Sequence, residues 1–287
     1  MSLELVIYGT HAPSFLHKDE VPDYQLPLLE AFHQQRKQID EVKPDVIVLI
    51  SSHFLTNWKH YVDATPKHEG FLTAREHPDT IANVPFNFAG DEELANELAK
   101  AGQEVGIPAV AFNEPTYIWD YGVLVPLRYW NPNANIPVID LSCNMSASLE
   151  ETYIWGKQIG KVLRESKKRI VFASSGALSH RLVRGRETMP TISEKALDDK
   201  FIELLLDGKY DAAWEMLPQF SVAADVESGG RHVAAMLGVL GKDEFKASYL
   251  GYAQSSGSGN PHFTFEAIHK GSNLVQRNAE LSSFPSK

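Results

Sequence analysis

One cysteine, Cys143, stands among 287 residues, so the chain has no internal disulfide and cannot by itself build a cysteine-based zinc or iron–sulfur site. Long hydrophobic runs are also missing. No apolar stretch reaches the ~20 residues that a membrane-crossing helix needs, and no basic-then-apolar leader opens the chain. No membrane partner is therefore expected, and the cytoplasm is the expected compartment. Positive charge is in short supply, with 27 Lys and Arg against 37 Asp and Glu and a formal net charge of -10. A surface of that sign does not track a phosphate backbone, which argues against nucleic acid as a partner. The densest basic cluster, Lys161 to Arg169, falls at the end of an expected helix, where it complements the helix dipole. There is no Pro/Ser-rich linker, composition break or fixed-period repeat. A single domain over residues 1–270 with a polar tail over 271–287 is the simplest organisation.

What the chain does have is 43% hydrophobic content, ample for a core, laid out as short β-branched runs between helical stretches. Strands are expected at Leu3 to Gly9, Asp45 to Ile50, Ala109 to Phe112, residues 136–142 and Arg169 to Ala173, with a late one at Phe245 to Tyr252. Helical spacing marks 27–39, 91–101, 150–168, 193–207, 209–217 and a short apolar stretch over 229–240, while Tyr121 to Leu127 fits either state. This alternation predicts an α/β fold with a mostly parallel central sheet and helices on both faces.

Three of the strands run into a histidine: His11 after the first, His53 after the second, and His180 after Arg169 to Ala173. In open α/β sheets ligands bind outside the carboxyl ends of the strands, so these imidazoles are placed to converge there although they are far apart in sequence. Two neutral imidazoles and one carboxylate on one face of a metal leave the opposite face open, the arrangement of non-heme Fe(II) oxygenases. His11 and His53 are the natural imidazoles. Glu227, in a loop that opens into a helix, is the preferred carboxylate, with Asp225 as the weaker alternative. His180 is then spare for proton transfer, with an ordinary pKa of ~6.5 suited to it. Two His and one Glu also suit a catalytic zinc, so a zinc-dependent hydrolase and a non-enzymatic interaction module are the rival readings. Of the other histidines, His17, His33 and His60 read as surface residues, His262 and His269 as exposed, and His232 as a packing residue. His68 and His77 lie in a polar segment, Pro66 to Asn83, that reads as a lid. The Gly-rich stretch Ser255 to Gly259 reads as a turn.

Five blocks carry a resemblance: Gly9-Thr10-His11-Ala12-Pro13-Ser14, Ser51-Ser52-His53-Phe54, Asp120-Tyr121-Gly122 through Tyr129, Ser175-Gly176-Ala177-Leu178-Ser179-His180-Arg181, and Val226-Glu227-Ser228-Gly229-Gly230-Arg231-His232. In this order they resemble the class III extradiol ring-cleavage dioxygenases, the family of the protocatechuate 4,5-dioxygenase catalytic subunit, from residue 3 to about residue 265. The likeness is greatest to members acting on homoprotocatechuate (3,4-dihydroxyphenylacetate 2,3-dioxygenases). The resemblance implies that His11, His53 and Glu227 ligate Fe(II) and that His180 is the catalytic acid–base. It implies a small aromatic diol and O2 as reactants, a muconic semialdehyde as product, and a homo-oligomer. The expected diol is 3,4-dihydroxyphenylacetate or a related catecholic acid, with protocatechuate, catechol and 2-aminophenol as alternatives. Many relatives have His where this chain has Tyr121, which can donate a hydrogen bond but not carry a proton near neutral pH. Tyr121, Arg181 and Arg231 are the candidate substrate-binding residues, the arginines for a substrate carboxylate; Arg184 and Arg186 lie near the same motifs.

Overall fold

A computed structural model describes residues 2–17, 21–185, 187–241 and 245–268. His269, Arg186 and the 271–287 tail lie outside the described residues. The strands are β1 (Leu3–Gly9), β2 (Val46–Thr56), β3 (His60–Asp63), β4 (Lys67–Leu72), β5 (Val84–Ala89), β6 (Ala109–Phe112), β7 (Val138–Asn144), β8 (Ile170–Ser175), β9 (Phe245–Ser255) and β10 (Ser258–Ala267). The helices are α1 (Leu26–Val42), α2 (Glu92–Glu104), α3 (Tyr121–Trp130), α4 (Leu149–Glu165), α5 (Ile192–Leu206), α6 (Tyr210–Ala223) and α7 (Arg231–Leu240). Eight strands form one sheet in the order β6-β3-β7-β2-β8-β1-β10-β9, and β4 pairs only with β5. The central strands β7, β2, β8 and β1 are mutually parallel; β3 and β10 pair antiparallel to their neighbours β7 and β1.

Side chains on the central strands alternate between two apolar layers, as the period of two in an extended chain requires. Val46, Val48, Ile50, Ile170 and Phe172 face a layer made by α2, α4, α5, α6 and α7. Ile47, Leu49, Val171 and Ala173 face the opposite layer, made chiefly by α1 and α3. A sheet covered on both faces needs strands that are apolar throughout, which is why these runs show no polar alternation. Helix starts follow local chemistry. Asp91, Asp120 and Ser148 cap α2, α3 and α4 by accepting a backbone N–H, and Thr191 with Glu194 forms a capping box on α5.

Three differences from the sequence expectation matter for the site. β2 does not stop at Ile50 but runs on to Thr56, with its pairing to β7 broken between Ile50 and Leu55. His53 therefore sits within an irregular stretch of the strand rather than after its end. The undecided segment at Tyr121 is a helix, with Asp120 as its N-cap. The polar segment 66–83 is half ribbon: β4 and β5 pair antiparallel and hold the 73–83 loop beside the sheet. Within Ser255 to Gly259 the turn of the β9–β10 hairpin is Ser256-Gly257, and β10 lies beside β1, so the chain's last described strand pairs with its first.

Candidate functional site

The strand ends bring His11, His53, His180 and Glu227 together. Nε2 of His11 lies 3.2 Å, that of His53 3.3 Å and that of His180 3.7 Å from the same oxygen, Glu227 Oε1. The rings of His11 and His53 meet edge to face at 4.7 Å. The other carboxylate oxygen, Oε2, accepts the Ala177 backbone N–H at 2.6 Å, so Oε1 is the one left facing the imidazoles.

Each of the four is held by its own strand or loop. Ser175 Oγ, at the end of β8, donates its only proton to Gly122 O at 2.6 Å and therefore accepts from His11 Nδ1 at 3.0 Å. Nδ1 of His11 is thus turned to Ser175, and Nε2, on the other side of the ring, faces the carboxylate. The Thr10 backbone N–H beside it donates to His262 Nε2 at 3.2 Å, and His262 Nδ1 in turn donates to Gln35 Oε1 at 3.1 Å. His53 is fixed through its backbone N–H, which donates to Ser51 Oγ, while Ser51 Oγ donates to the capping carboxylate of Asp120. Gly122 allows this close approach, since a Cβ there would lie 2.4 Å from Ser51 Oγ.

Glu227 begins a short turn in which Ser228, Gly229 and Gly230 all have positive φ, 49°, 62° and 77°. The glycine pair relieves most of the cost of that left-handed run. Ser228 Oγ ties it to Ser52 O on β2 at 2.6 Å. The loop carrying His180 is clamped by Asp198 of α5, which accepts from Ser179 N, Ser179 Oγ and Tyr252 Oη. Burial raises Asp198 to about 6, against the pull of those hydrogen bonds.

Charge at the site is set by this crowding. Burial would raise the Glu227 carboxyl, but the His11 and His180 imidazoles and the hydrogen bonds from His11 and His53 hold it well below the usual carboxylate range. Burial pulls His53 down, and Glu227, with Asp120 and Glu76, more than offsets it, leaving His53 raised. Burial lowers His180, with His11 and His53 adding to the effect and Glu227 opposing it. Burial also raises the Tyr121 hydroxyl, helped by Glu227 and Glu76.

The donor set fits a divalent metal. His11, His53 and Glu227 offer ligand atoms within 4.8 Å of one another. Metal–ligand bonds of ~2.0–2.2 Å at right angles place neighbouring ligand atoms about 3 Å apart, close to the separations from Glu227 Oε1. A cavity of about 250 Å³ opens over them, lined among others by Tyr121, His77, Glu76 and Asn260.

The family model described as the catalytic LigB subunit of aromatic ring-opening dioxygenase matches residues 5–262. The chain belongs to this family. Among LigB-family relatives, 3,4-dihydroxyphenylacetate 2,3-dioxygenase of Escherichia coli is 26% identical over 255 residues, covering 85% of this chain and 92% of that protein. The 2-aminophenol 1,6-dioxygenase beta subunit of a Pseudomonas species is 26% identical over 284 residues, covering 93% and 92%. The crystal structure of an uncharacterized protein of Escherichia coli K12 shares the fold, with a TM-score of 0.63 at 19% identity over 92% of this chain and 100% of that one. The LigB-family chain is an extradiol ring-cleavage dioxygenase by family, as the five sequence blocks implied.

The structure gathers some of the sequence candidates and not others. Tyr121 lies on the cavity wall, its ring 4.1 Å from His53 and 5.5 Å from His11. Arg181 is half-exposed to solvent and pairs with Glu194 at 3.1 Å. Arg231 spends its guanidinium on the carbonyls of Asn144, Ser228, Met145 and Ala147. Neither arginine lines the cavity, and Arg184 is exposed. Asp225 is exposed and is not part of the ligand cluster. His77 reaches the cavity, whereas His68 faces Asp63 and Trp119.

Two histidines expected at the surface are buried. His60 is 0% exposed and bonds Glu151 of α4 at 3.1 Å; His262 is 0% exposed and pushed down to about 3 by burial. His232 does pack, stacked on Tyr8, and burial pushes it down to about 4. His262, Ser175 and Asp198 support the site through partners that lie from 19 to 252 residues away on other elements, so the sequence does not reveal these supporting roles.

Proposed function

We propose that the chain is an Fe(II)-dependent extradiol dioxygenase that opens the ring of a catechol with O2 to give a muconic semialdehyde. The convergence of three imidazoles on one buried carboxylate oxygen carries this reading. His11, His53 and Glu227 would hold the iron, leaving one face open to reactants. Bound there, a divalent iron supplies positive charge that favours the catecholate and keeps diol and dioxygen side by side. His180 stands beside this face, and burial keeps it below its usual pKa, hence neutral at pH 7 and able to take the proton of a diol hydroxyl. It returns that proton later, while the ring bond next to the diol breaks and both oxygen atoms enter the product. Tyr121 stays protonated, so its hydroxyl is available on the cavity wall as a donor to a bound ligand.

A relative named a beta subunit supports assembly into an oligomer, and several copies of this chain are the proposed form. The single buried thiol of Cys143 fits a reducing compartment such as the cytoplasm. Among the described residues no helix is long and apolar enough to cross a membrane.

Anaerobic loading with Fe(II), followed by 3,4-dihydroxyphenylacetate, protocatechuate, catechol and 2-aminophenol in air, tests the reaction through O2 uptake and the yellow semialdehyde absorbance. Stoichiometric O2 uptake with a yellow product is expected. Bound iron without O2 uptake from any ring would overturn the assignment and favour the non-enzymatic metal-binding module.

A further inference from the structure

We propose that the outer part of the cavity disfavours a carboxylate on the substrate ring and accepts a neutral or cationic ring substituent, with Glu76 as the residue that sets this preference. The inference rests on the ring-cleavage reading and adds to it the substrate's charge. Among the described lining residues there is no lysine or arginine; the charged side chain on the rim is the carboxylate of Glu76, on the 73–83 loop beside His77. Arg75, its neighbour on that loop, does not line the cavity. The two arginines that sequence position offers as carboxylate partners are committed elsewhere, Arg181 to Glu194 and Arg231 to four backbone carbonyls.

The wall formed by the β9–β10 turn does not supply a cation either. It presents Ser255, Ser256, Ser258 and Asn260, and Asn260 donates to Ser258 Oγ and accepts from Thr10 Oγ1. A carboxylate reaching the rim would lose its water and meet a like charge without a partner, whereas an ammonium would meet an acceptor of opposite sign. Glu76 is exposed, so its influence falls with ionic strength in a way that a packing effect does not.

Three ring ligands that differ in the charge of the side chain separate the possibilities: 3,4-dihydroxyphenethylamine, 4-ethylcatechol and 3,4-dihydroxyphenylacetate. Dissociation constants for the iron-loaded enzyme without O2, by calorimetry, are measured beside kcat/KM from O2 uptake. The amine is expected to bind about tenfold or more tighter than the acid at low salt, with 4-ethylcatechol between them. Glu76→Gln is expected to narrow the amine-to-acid ratio severalfold and Glu76→Lys to invert it, and about 0.5 M salt to shrink it in the unmodified enzyme. Tightest binding of the acid, or a ratio that Glu76→Gln leaves unchanged, overturns the proposal. Binding in the expected order without turnover of any ring overturns the ring-cleavage reading alone.

Discussion

The floor and the rim of the cavity are built differently. On the floor, His11, His53 and Glu227 are held by strands and by buried hydrogen bonds through Ser175, Ser51, Ala177 and Ser228. The rim at Glu76 and His77 belongs to an exposed loop between two strands that pair only with each other. A ligand set must be held to within a fraction of an ångström, and buried networks provide that constraint. Selection by side-chain charge needs only a field, which a loop can supply and exchange without disturbing the floor. On the proposed reading, ring opening belongs to the floor and discrimination among rings to the rim.

If that division holds, damage to the floor should abolish function and damage to the rim should only re-rank ligands. The largest effect is expected from Glu227→Gln, which removes the negative charge on which three imidazoles converge; iron affinity should fall about 100-fold or more, measured by metal content after dialysis. His180→Ala should keep its iron and lose about 10²- to 10⁴-fold in kcat, which O2 uptake on the iron-loaded variant reads directly. Normal turnover by that variant would remove His180 from the mechanism. Asp198→Ala strands three buried donors at the base of the His180 loop. A stability loss of about 3 kcal/mol is expected from unpaired groups of this kind, seen in urea melts, together with a lower kcat at unchanged iron content.

A gentler probe of the floor is acid. His262 and His232 titrate at about 3 and about 4 in the folded chain, below the ~6.5 of an unfolded histidine. Over that window the unfolded state binds more protons than the folded one, so stability should fall as the pH drops below about 6.5, by about 1.4 kcal/mol per pH unit for each group. Urea melts at several pH values check the slope, and His262→Gln should flatten it by about one proton. The smallest effect belongs to the rim, where Glu76→Gln should shift ligand ratios severalfold without lowering stability.

Much of this floor was legible because its signals are local. A β-branched run that ends in a histidine is a strand delivering a ligand, and a glycine pair after an acid is a sharp turn at a helix start. The supports were not legible. His262 sits in a Gly-Asn-Pro-His stretch that reads as exposed loop, and only the pairing of β10 with β1 shows that Gln35 and Thr10 satisfy both of its nitrogens. His60 likewise needs Glu151 from α4 before burial makes sense. The arginines misled for the opposite reason: closeness in sequence to a motif says nothing of where a long side chain points, and backbone carbonyls took Arg231. The rim was read as a polar lid without its flanking ribbon, since β4 and β5 are short and half-exposed and carry little periodicity.

The placement of β10 against β1 also bears on how the protein is made. Thr10, next to the first ligand, is fixed by side chains at positions 260 and 262, nearly the whole described length of the chain away. Closing so long a loop is slow and comes late in folding. A chain emerging from the ribosome therefore carries His11 and His53 for most of its synthesis without the strand that fixes Thr10, and the complete pocket forms only after the hairpin has docked. A truncation before residue 258 removes the last step of assembly, although it leaves every proposed ligand in place.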